Sequence, residues 1–448
     1  MSFLKKENRT FRIDSNFFIK KSLSVDNKIK SMNHFYISEE NIVSGPFGSS
    51  LKSDAYLNAG VPFIRIENIK NGFSISTDNL IYISEFDNSR LKSSQLFEDD
   101  LILSKVGNTI GYYARVDSNI KNCNISENNI GIKLNSYNRD VKHYIMTFLN
   151  SKYGNILTLR RISGNAQPKL NVFDISEIPI PQFNEEFYKK ISDKIIKADE
   201  LKQHSKSLYS QAEDLLLNEL GLKEWQPKNT LHTTKKFSDF AQSGRLDAEY
   251  YQPKYDDLFE KLSCLNCKRL GKIVSIKKSF DPGSDAYQET GIPFIRVSDI
   301  SKDGIEKTEL HLSPIDFDIP ELKPKKDTIL FSKDGSIGIA YKVQSDLNVF
   351  TSGALLHLVT TDSSILPDYL TLVLNSVVVK LQAERDSNGA IIQHWKPSDI
   401  ENVIIPILPE QIQKKIASLI QQSFEYKAQS KQLLEDAKRM VESEIEKN

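Results

Sequence analysis

Two basic residues beside a glycine turn occur twice along this 448-residue chain. Arg65 and Lys105 in the first half correspond to Arg296 and Lys333 in the second, and each follows an apolar segment and adjoins loops rich in Ser, Asn and Thr. A basic side chain beside such a loop suits contact with a phosphate group. The alternative is an internal ion pair between each arginine and the acidic residue two or three positions later. The sequence leaves both interpretations open.

Patterns for catalysis do not accompany these basic residues. The chain lacks a Walker A loop, a glycine-rich dinucleotide fingerprint and the Asn/Asp-Pro-Pro-aromatic signature of an amino-methyltransferase acting on DNA bases. The closely spaced glycines after each shared lysine fit a tight turn better than a phosphate cradle. The histidines show no metal-ligand spacing, and the lone CxxC of Cys264 and Cys267 favours reduced structural thiols over a zinc site. We therefore expect no catalytic residues, no metal and no cofactor bound by this chain.

Composition gives weaker constraints. The 59 basic and 59 acidic residues balance, so net charge does not indicate a nucleic-acid partner, although it does not exclude one. Three cysteines are too few for a disulfide framework, which is typical of a cytoplasmic protein. The chain contains no apolar run of membrane-spanning length, and its first residues, MSFLKKENRTF, lack the apolar region expected of a signal peptide. We expect a cytoplasmic protein with no membrane partner.

The basic residues belong to motifs that return in the same order in each half. The offset between copies falls from 233 to 225 residues, because insertions and deletions lie between the motifs. The pairs are RIDSNFF at 12–18 with RLDAEYY at 245–251, GVPFIRIENI at 60–69 with GIPFIRVSDI at 291–300, DDLILSKVG at 99–107 with DTILFSKDG at 327–335, and IPIP at 178–181 with IPILPE at 405–410. This tandem repeat predicts two similar modules.

A long amphipathic segment follows each module, at 185–222 and 410–447. Apolar or small residues at alternating steps of three and four make a narrow stripe that must be buried. The first core series is Ile191, Ala198, Ser205 and Ala212, with Ile416, Ser423, Ser430 and Ala437 as its second copy; the other series is Leu201, Leu208, Leu215 and Leu222, with Leu419, Tyr426, Leu433 and Met440. We predict that the two helices pair with each other, antiparallel. The alternative is that each helix packs only on its own module.

The predicted fold class is α+β, with two tandem mixed α/β modules, each followed by a long helix, and the helices paired as an antiparallel coiled coil. Continuous apolar segments such as PFIRI and LILS are typical of buried strands. The predicted domains are the first module at 1–183, the central helix and linker at 184–234, the second module at 235–406 and the C-terminal helix at 407–448.

The loops that differ between the modules are candidates for target recognition. If the modules read different DNA targets, base-reading side chains lie in the divergent loops, and shared basic residues contact phosphates. Any one of these loops could instead be a solvated connection. The candidate DNA-contacting residues are Ser49, Ser50, Lys52, Arg65, Lys105, Asn108, Thr109, Arg160, Arg161, Gln167, Lys169, Ser284, Arg296, Lys333, Ser336, Gln393, His394 and Lys396.

The doubled motifs, each set followed by a long helix, resemble the specificity subunit of type I restriction-modification systems. The resemblance extends from Arg12 to the C-terminus. It implies that each module is a target recognition domain for one half of a bipartite double-stranded DNA sequence. It also implies that the paired helices hold the domains apart and dock two modification subunits, which carry the methyltransferase chemistry and S-adenosylmethionine, and that a restriction and motor subunit joins them.

Other functions remain open at this point. The segment RLDAEYYQPKY at 245–255 also resembles the opening of recognition domains that accompany fused cleavage and methylation polypeptides. A structural or decoy protein that binds other proteins through its modules is a further alternative. An enzyme that itself methylates or cuts DNA has no supporting motif. The resemblance favours a non-catalytic DNA-specificity subunit, in which helices of about 36 residues, about 54 Å long, set the distance between half-sites.

Overall fold

The computed structural model describes residues 12, 14–46, 48, 50–69, 73–77, 79–164, 167–228, 230, 232–306, 308–317, 319–387 and 393–448. They form two compact units. The first contains the described part of residues 1–203 together with 427–448, and the second contains 204–426. Each compact unit therefore contains one module and part of each long helix. The four predicted domains instead divide the chain in sequence order. Across the described residues, no helix is both long and apolar enough to cross a membrane.

In the first unit, buried β-branched and aliphatic residues form two principal sheets. All four residues of the central strand Leu101–Ser104 are buried, as expected for a strand covered on both faces. The larger sheet has the strand order Ile42–Ser44, Asn129–Ile132, Leu101–Ser104, Tyr113–Arg115 and Phe73–Ser74. The other has the order Ile81–Ile83, Val61–Ile64, Asn122–Ile125 and Leu96–Phe97, and His34–Phe35 pairs separately with Ile180–Pro181.

Helices cover these sheets and carry the chain towards the exit of the module. Arg139–Leu149 buries a continuous apolar face and begins at Asn138, whose side chain accepts a hydrogen bond from the Val141 N–H. The α-helices of the first module are Lys20–Ser31, Glu85–Arg90, Arg139–Leu149, Lys152–Arg160 and Val172–Ser176.

The second unit repeats this plan. Its central strand Ile329–Ser332 is again fully buried and lies between Leu355–Thr360 and Ala340–Lys342. One four-stranded sheet has the strand order Val274–Lys278, Leu355–Thr360, Ile329–Ser332 and Ala340–Lys342. The other has the order Tyr287–Gln288, His311–Leu312, Ile292–Ile295 and Phe350–Thr351. Two further strand pairs are Cys267–Arg269 with Ile404–Pro406 and Ile300–Ser301 with Gly304–Ile305. The α-helices are Phe237–Ser243, Pro253–Ser263, Pro367–Leu374, Val377–Asp386 and Pro397–Glu401.

The strand pairing confirms the predicted α+β fold with a repeated module. In each unit the central strand lies between the partner that follows it in a hairpin and a later antiparallel strand. In each unit the PFI strand also has a parallel neighbour, Val61–Ile64 with Asn122–Ile125 and Ile292–Ile295 with Phe350–Thr351. The sequence repeat is therefore a repeat of topology.

The two long helices are Glu185–Glu219 and Glu410–Lys447. In the first unit, Ser430 Oγ donates a hydrogen bond to the Ala198 carbonyl oxygen at 2.7 Å. In the second unit, Ser423 Oγ donates to the Ser205 carbonyl oxygen at 2.7 Å. Residue numbers rise along one helix as they fall along the other, which confirms the antiparallel pairing.

The first predicted core series is buried throughout, whereas the second is displaced. Leu201 and Leu222 are buried, but Leu208, Leu215, Leu419, Tyr426, Leu433 and Met440 are only half-buried. The deeply buried neighbours lie one residue later at Leu216, Ile420 and Val441. Each helix contacts a module as well as the other helix, so its buried stripe is wider than a two-position coiled-coil seam and shifts towards the module. Ile191 and Ile416 are fully buried, as predicted.

Candidate nucleic-acid interface

In the first module, the turn after the central strand is joined to a second polar loop. The Gly111 N–H donates to the Ser104 carbonyl oxygen at 2.9 Å and closes the turn, in which Gly107 and Gly111 have positive φ. The Leu170 N–H donates to the Lys105 carbonyl oxygen at 3.0 Å. This backbone bond brings residues 105–109 beside residues 167–170, which are about 60 positions away in the sequence.

The joined loops carry five of the predicted residues. Asn108, Gln167 and Lys169 are exposed, and Thr109 is half-buried with its hydroxyl 2.9 Å from Ser104 Oγ. Lys105 Nζ donates to Ser44 Oγ at 3.0 Å, and partial burial lowers the pKa of Lys105. The residues brought together at this surface are Lys105, Asn108, Thr109, Gln167 and Lys169; we call them the first loop pair.

The second module builds the same arrangement. The Gly338 N–H closes the turn on the Ser332 carbonyl oxygen at 2.9 Å, and the Trp395 N–H donates to the Lys333 carbonyl oxygen at 2.8 Å. Trp395 is only 1% exposed and packs against Phe331, which anchors the loop. The predicted residues gathered here are Lys333, Ser336, Gln393, His394 and Lys396; we call them the second loop pair.

The two shared arginines are held in ion pairs. Arg65 pairs with Glu67 and donates to the Asn79 carbonyl oxygen at 3.1 Å. Arg296 lies 3.9 Å from an oxygen of Asp299 and is half exposed. The structure thus contains the internal ion pairs that the sequence left as the alternative. A phosphate contact by either arginine stays a prediction.

Two other predicted residues are internal. Arg160 is 6% exposed, and its guanidinium group contacts Asp26 Oδ2 at 2.8 Å. Arg161 is 5% exposed and also faces Asp26, with an N–O distance of 3.9 Å. Burial alone would raise the pKa of Asp26, but its bond with Lys30 and the two guanidinium charges lower it. Neither arginine presents its charge at the surface, because both face Asp26. Their assignment as DNA contacts stays a prediction.

The remaining candidates lie on other short turns. Ser50 and Lys52 are exposed, and the Ser50 carbonyl oxygen accepts a hydrogen bond from Arg90 at 2.9 Å. Ser284 is exposed at the start of a 3-10 turn. Ser49 lies outside the described residues.

One repeated motif at these turns was missed in the sequence. Ser53–Ala55 and Ser284–Ala286 form the same 3-10 turn in the two modules. The tyrosine that follows packs in both cases on the PFI strand, with Tyr56 against Phe63 and Tyr287 against Phe294. The signal was available as SDAY at 53–56 and 284–287, spaced at the same offset as the neighbouring PFIR motif.

A second missed residue is Asp334, which follows the shared lysine of the second module. His394 Nδ1 lies 2.8 Å from Asp334 Oδ1, and Lys333 forms an ion pair with the same carboxylate. The first module has Val106 at this position. The contrast between SKV and SKD within an otherwise matching motif was the available signal.

The chain is similar in sequence to several known proteins. Residues 266–438 match the family model of the type I restriction modification DNA specificity domain. Over 402 residues, the chain is 26% identical to the type I restriction enzyme MjaIX specificity subunit of Methanocaldococcus jannaschii, covering 86% of this chain and 84% of that protein. The chain is thus similar to type I restriction-modification specificity subunits over most of its length, and its residues 266–438 match the DNA specificity domain of that family.

Further specificity subunits show more limited similarity. The EcoBI specificity subunit of Escherichia coli is 27% identical over 147 residues, which cover 32% of this chain and 31% of that protein. Among solved structures, the S subunit from M. genitalium has a TM-score of 0.41 at 15% identity, covering 92% of this chain and 95% of that chain. The HsdS subunit from Thermoanaerobacter tengcongensis has a TM-score of 0.30 at 13% identity, covering 91% and 95%.

Proposed function

We propose that this chain is a DNA specificity subunit that recognises a bipartite sequence in double-stranded DNA, with one half-site bound by each module. The first loop pair contacts one half-site and the second loop pair contacts the other. Lysines at each surface bond to phosphate oxygens, while the side chains that differ between modules bond to base edges.

The observation that carries this proposal is the common backbone frame of the two loop pairs. Each turn is closed by a bond to the last residue of the central strand, and each is tied to its second loop through the carbonyl group of the shared lysine. The exposed side chains on this frame differ, with Asn108, Gln167 and Lys169 on one and Ser336, Gln393 and His394 on the other. A constant backbone with variable side chains suits recognition of two different half-site sequences by the same fold.

The long helices serve assembly and spacing in this proposal. Outside their buried stripes they expose many charged residues, which are available to two modification subunits that transfer methyl groups to DNA. A restriction and motor subunit joins the same complex. The length of the helices sets the number of base pairs between the half-sites, so the spacer is specified in length and not in sequence.

The chain itself supplies recognition and no chemistry. S-adenosylmethionine binds to the modification subunits, which also extrude the target base, because a stacked base is inaccessible to a methyltransferase. The complex acts in the cytoplasm.

Methylation mapping tests the proposal. Genomic DNA from cells that express this chain with its modification subunit is sequenced for modified bases, beside DNA from cells that express the modification subunit alone. We expect a bipartite methylated motif only when the chain is present. Absence of any chain-dependent motif would contradict the proposal.

Salt dependence tests the phosphate contacts separately. The affinity of the assembled complex for DNA is measured by gel shift at several salt concentrations. We expect the logarithm of the binding constant to fall linearly with the logarithm of the salt concentration, because lysine–phosphate contacts release counterions. Binding that does not change with salt would contradict contact with the DNA backbone.

A further inference from the structure

One residue pair in each loop pair occupies the same place in the backbone and carries different chemistry. Val106 and Lys169 form an isolated antiparallel bridge in the first module, and Asp334 and His394 form the equivalent bridge in the second. In each case the residue after the bridge donates its N–H to the carbonyl oxygen of the shared lysine, Lys105 or Lys333. The backbone frame is therefore held constant while the two bridge side chains vary.

The second module uses this position to fix an imidazole ring. Asp334 Oδ1 lies 2.8 Å from His394 Nδ1. The other carboxylate oxygen, Oδ2, accepts a hydrogen bond from the ammonium group of Lys333. The side chain of His394 nevertheless stays 63% exposed, whereas that of Asp334 is 23% exposed. One edge of the ring is thus held by the protein and the other faces solvent.

The first module has no carboxylate at this place. Val106 cannot accept a hydrogen bond, and Lys105 donates to Ser44 Oγ at 3.0 Å instead. Its bridge residue Lys169 is exposed and offers a flexible ammonium group, which only donates hydrogen bonds. The two modules therefore differ in hydrogen-bonding character at one matched position.

The hydrogen bond to Asp334 determines which nitrogen of His394 is available. An ionised carboxylate only accepts hydrogen bonds, so Nδ1 carries the proton in the Asp334–His394 pair. In the neutral ring the exposed Nε2 is then an acceptor. An acceptor suits the exocyclic amino groups of adenine and cytosine in the major groove, whereas a lysine suits the oxygen and nitrogen acceptors of guanine.

We propose that His394, positioned by Asp334, reads one base pair of the half-site bound by the second module by accepting a hydrogen bond from an exocyclic amino group of adenine or cytosine. This inference rests on the proposed function. Asp334 is a positioning residue, because it acts on DNA through the imidazole ring of His394.

The test is a binding selection at pH 8 with the chain assembled with its modification subunit. The DNA library has both half-sites randomised. We expect His394→Lys to reduce the preference for adenine or cytosine at one position of one half-site about tenfold, because lysine has no acceptor for the exocyclic amino group. Asp334→Val has the same effect by releasing the ring, whereas Asp334→Asn keeps the preference, because its amide oxygen still accepts from Nδ1.

Two matched variants complete the experiment. Lys396→Ala removes an exposed lysine two residues from His394 and should weaken binding to all sequences equally, as expected for a phosphate contact. Lys169→His with Val106→Asp places an aspartate–histidine pair in the first module and should change one position of the other half-site only. The unaltered half-site in each variant reports that the complex is folded and assembled.

The outcomes separate this inference from the proposed function. If the unaltered complex selects no bipartite sequence, the proposed function fails. If it selects one but His394→Lys and Asp334→Val leave every base preference unchanged, or weaken all sequences uniformly, the role of His394 is wrong while the proposed function stands. A change in the half-site of the first module would also overturn it.

Discussion

The two modules neutralise a buried cation in different ways at the same place in the fold. Arg115 pairs with Leu101 across the central hairpin of the first module, and Lys342 pairs with Ile329 across that of the second. Both cations are nearly inaccessible, with 2% of the Arg115 side chain and 6% of the Lys342 side chain exposed. A buried charge must be paired. Each cation pairs with one aspartate at the equivalent position, Asp99 or Asp327, and the second partner differs between the modules.

In the first module the partners form a network that reaches the first long helix. Arg115 contacts Asp99 at 2.6 Å and also pairs with Asp199 of the helix. His143 lies between Asp99 Oδ1, at 3.2 Å, and Ser192 Oγ, at 2.9 Å. Burial would raise the pKa of Asp99, but bonds from His143 and Arg115 hold it well below its ordinary value. Burial lowers the pKa of His143, so the ring is neutral and donates to Asp99 through Nε2.

In the second module the partners are two aspartates. Lys342 contacts Asp327 and Asp368, each at 3.1 Å, and Gln421 of the second long helix donates to Asp368 at 2.9 Å. Asp99 and Asp327 correspond, since both have positive φ and both donate their N–H groups to the valine after the hairpin. Both networks end on a long helix. A polar link between module and helix is therefore present in both units, although the residues that form it differ.

Removing the cation should have the largest effect in the first module. Arg115→Met leaves Asp99 and Asp199 without their common partner, and we expect a loss of about 3–5 kcal/mol in the free energy of unfolding of this unit. Lys342→Met should cost less, because Asp327 is 48% exposed and can be hydrated. Hydrogen exchange at Tyr113–Arg115 and at Ala340–Lys342 measures the two units separately.

The matched control for these variants is Lys325→Met. Lys325 and Asp346 form a surface ion pair at 3.2 Å with both side chains more than half exposed. Such pairs contribute about 0–1 kcal/mol. If Arg115→Met costs no more than Lys325→Met, the buried network is not what holds the first module together.

Acid should weaken the second module through His357, which has no histidine counterpart in the first. Burial lowers the pKa of His357 to about 4, and its Nε2 lies 2.8 Å from Thr351 Oγ1. The equivalent residue is Gly131, where an added Cβ would lie 2.9 Å from a side-chain carbon of Leu96.

The direction of the pH effect follows from this lowered pKa. The unfolded chain has the ordinary histidine pKa of about 6.5, so it binds more protons than the folded chain below that pH. His357 therefore lowers the free energy of unfolding as pH falls from about 6.5 to 4, by roughly 3 kcal/mol in total. In His357→Gln, the free energy of unfolding derived from hydrogen exchange of Leu355–Thr360 should depend less on pH over this window. An unchanged pH dependence would show that His357 is not the titrating group.

The helix pairing offers a smaller contrast between the units. Ser430 makes one hydrogen bond across the pair in the first unit, whereas Ser423 and Ser205 face each other in the second, with their hydroxyl oxygens 3.1 Å apart. We expect Ser430→Ala to cost about 1 kcal/mol and Ser423→Ala slightly more, because it also leaves the Ser205 hydroxyl without this partner. Hydrogen exchange of the helices measures both. Ser207→Ala on the exposed face is the control and should change stability by less than about 0.5 kcal/mol.

The sequence predicted those features that depend on short-range patterns or on repetition. The doubled PFIR and ILxS motifs predicted two copies of one α+β module, and alternating steps of three and four predicted the helix pairing. The second core series was displaced because sequence spacing alone does not show that a module covers one flank of each helix. Leu216 is fully buried because it packs against the core of the second module, whereas its neighbour Leu215 is half-buried.

The candidate site could be predicted only in part, because its contacts are long-range. Lys105 and Lys169 were chosen for their loop context, and the structure brings them together. Arg160 and Arg161 had the same local context but face Asp26, which precedes them by more than 130 positions in the chain. The pairing of Asp334 with His394 joins residues 60 positions apart. A single sequence contains no direct signal for either contact.

Under the proposed function, the modules recognise the half-sites while the long helices set their spacing. The most direct measurement is a binding selection with half-sites and spacer both randomised, before and after one heptad is deleted at matched positions of both helices. Seven residues shorten a helix by about 10 Å, which equals about three base pairs. We predict unchanged half-site words and a spacer about three base pairs shorter. Altered half-site words, with the spacer unchanged, would contradict this division of roles.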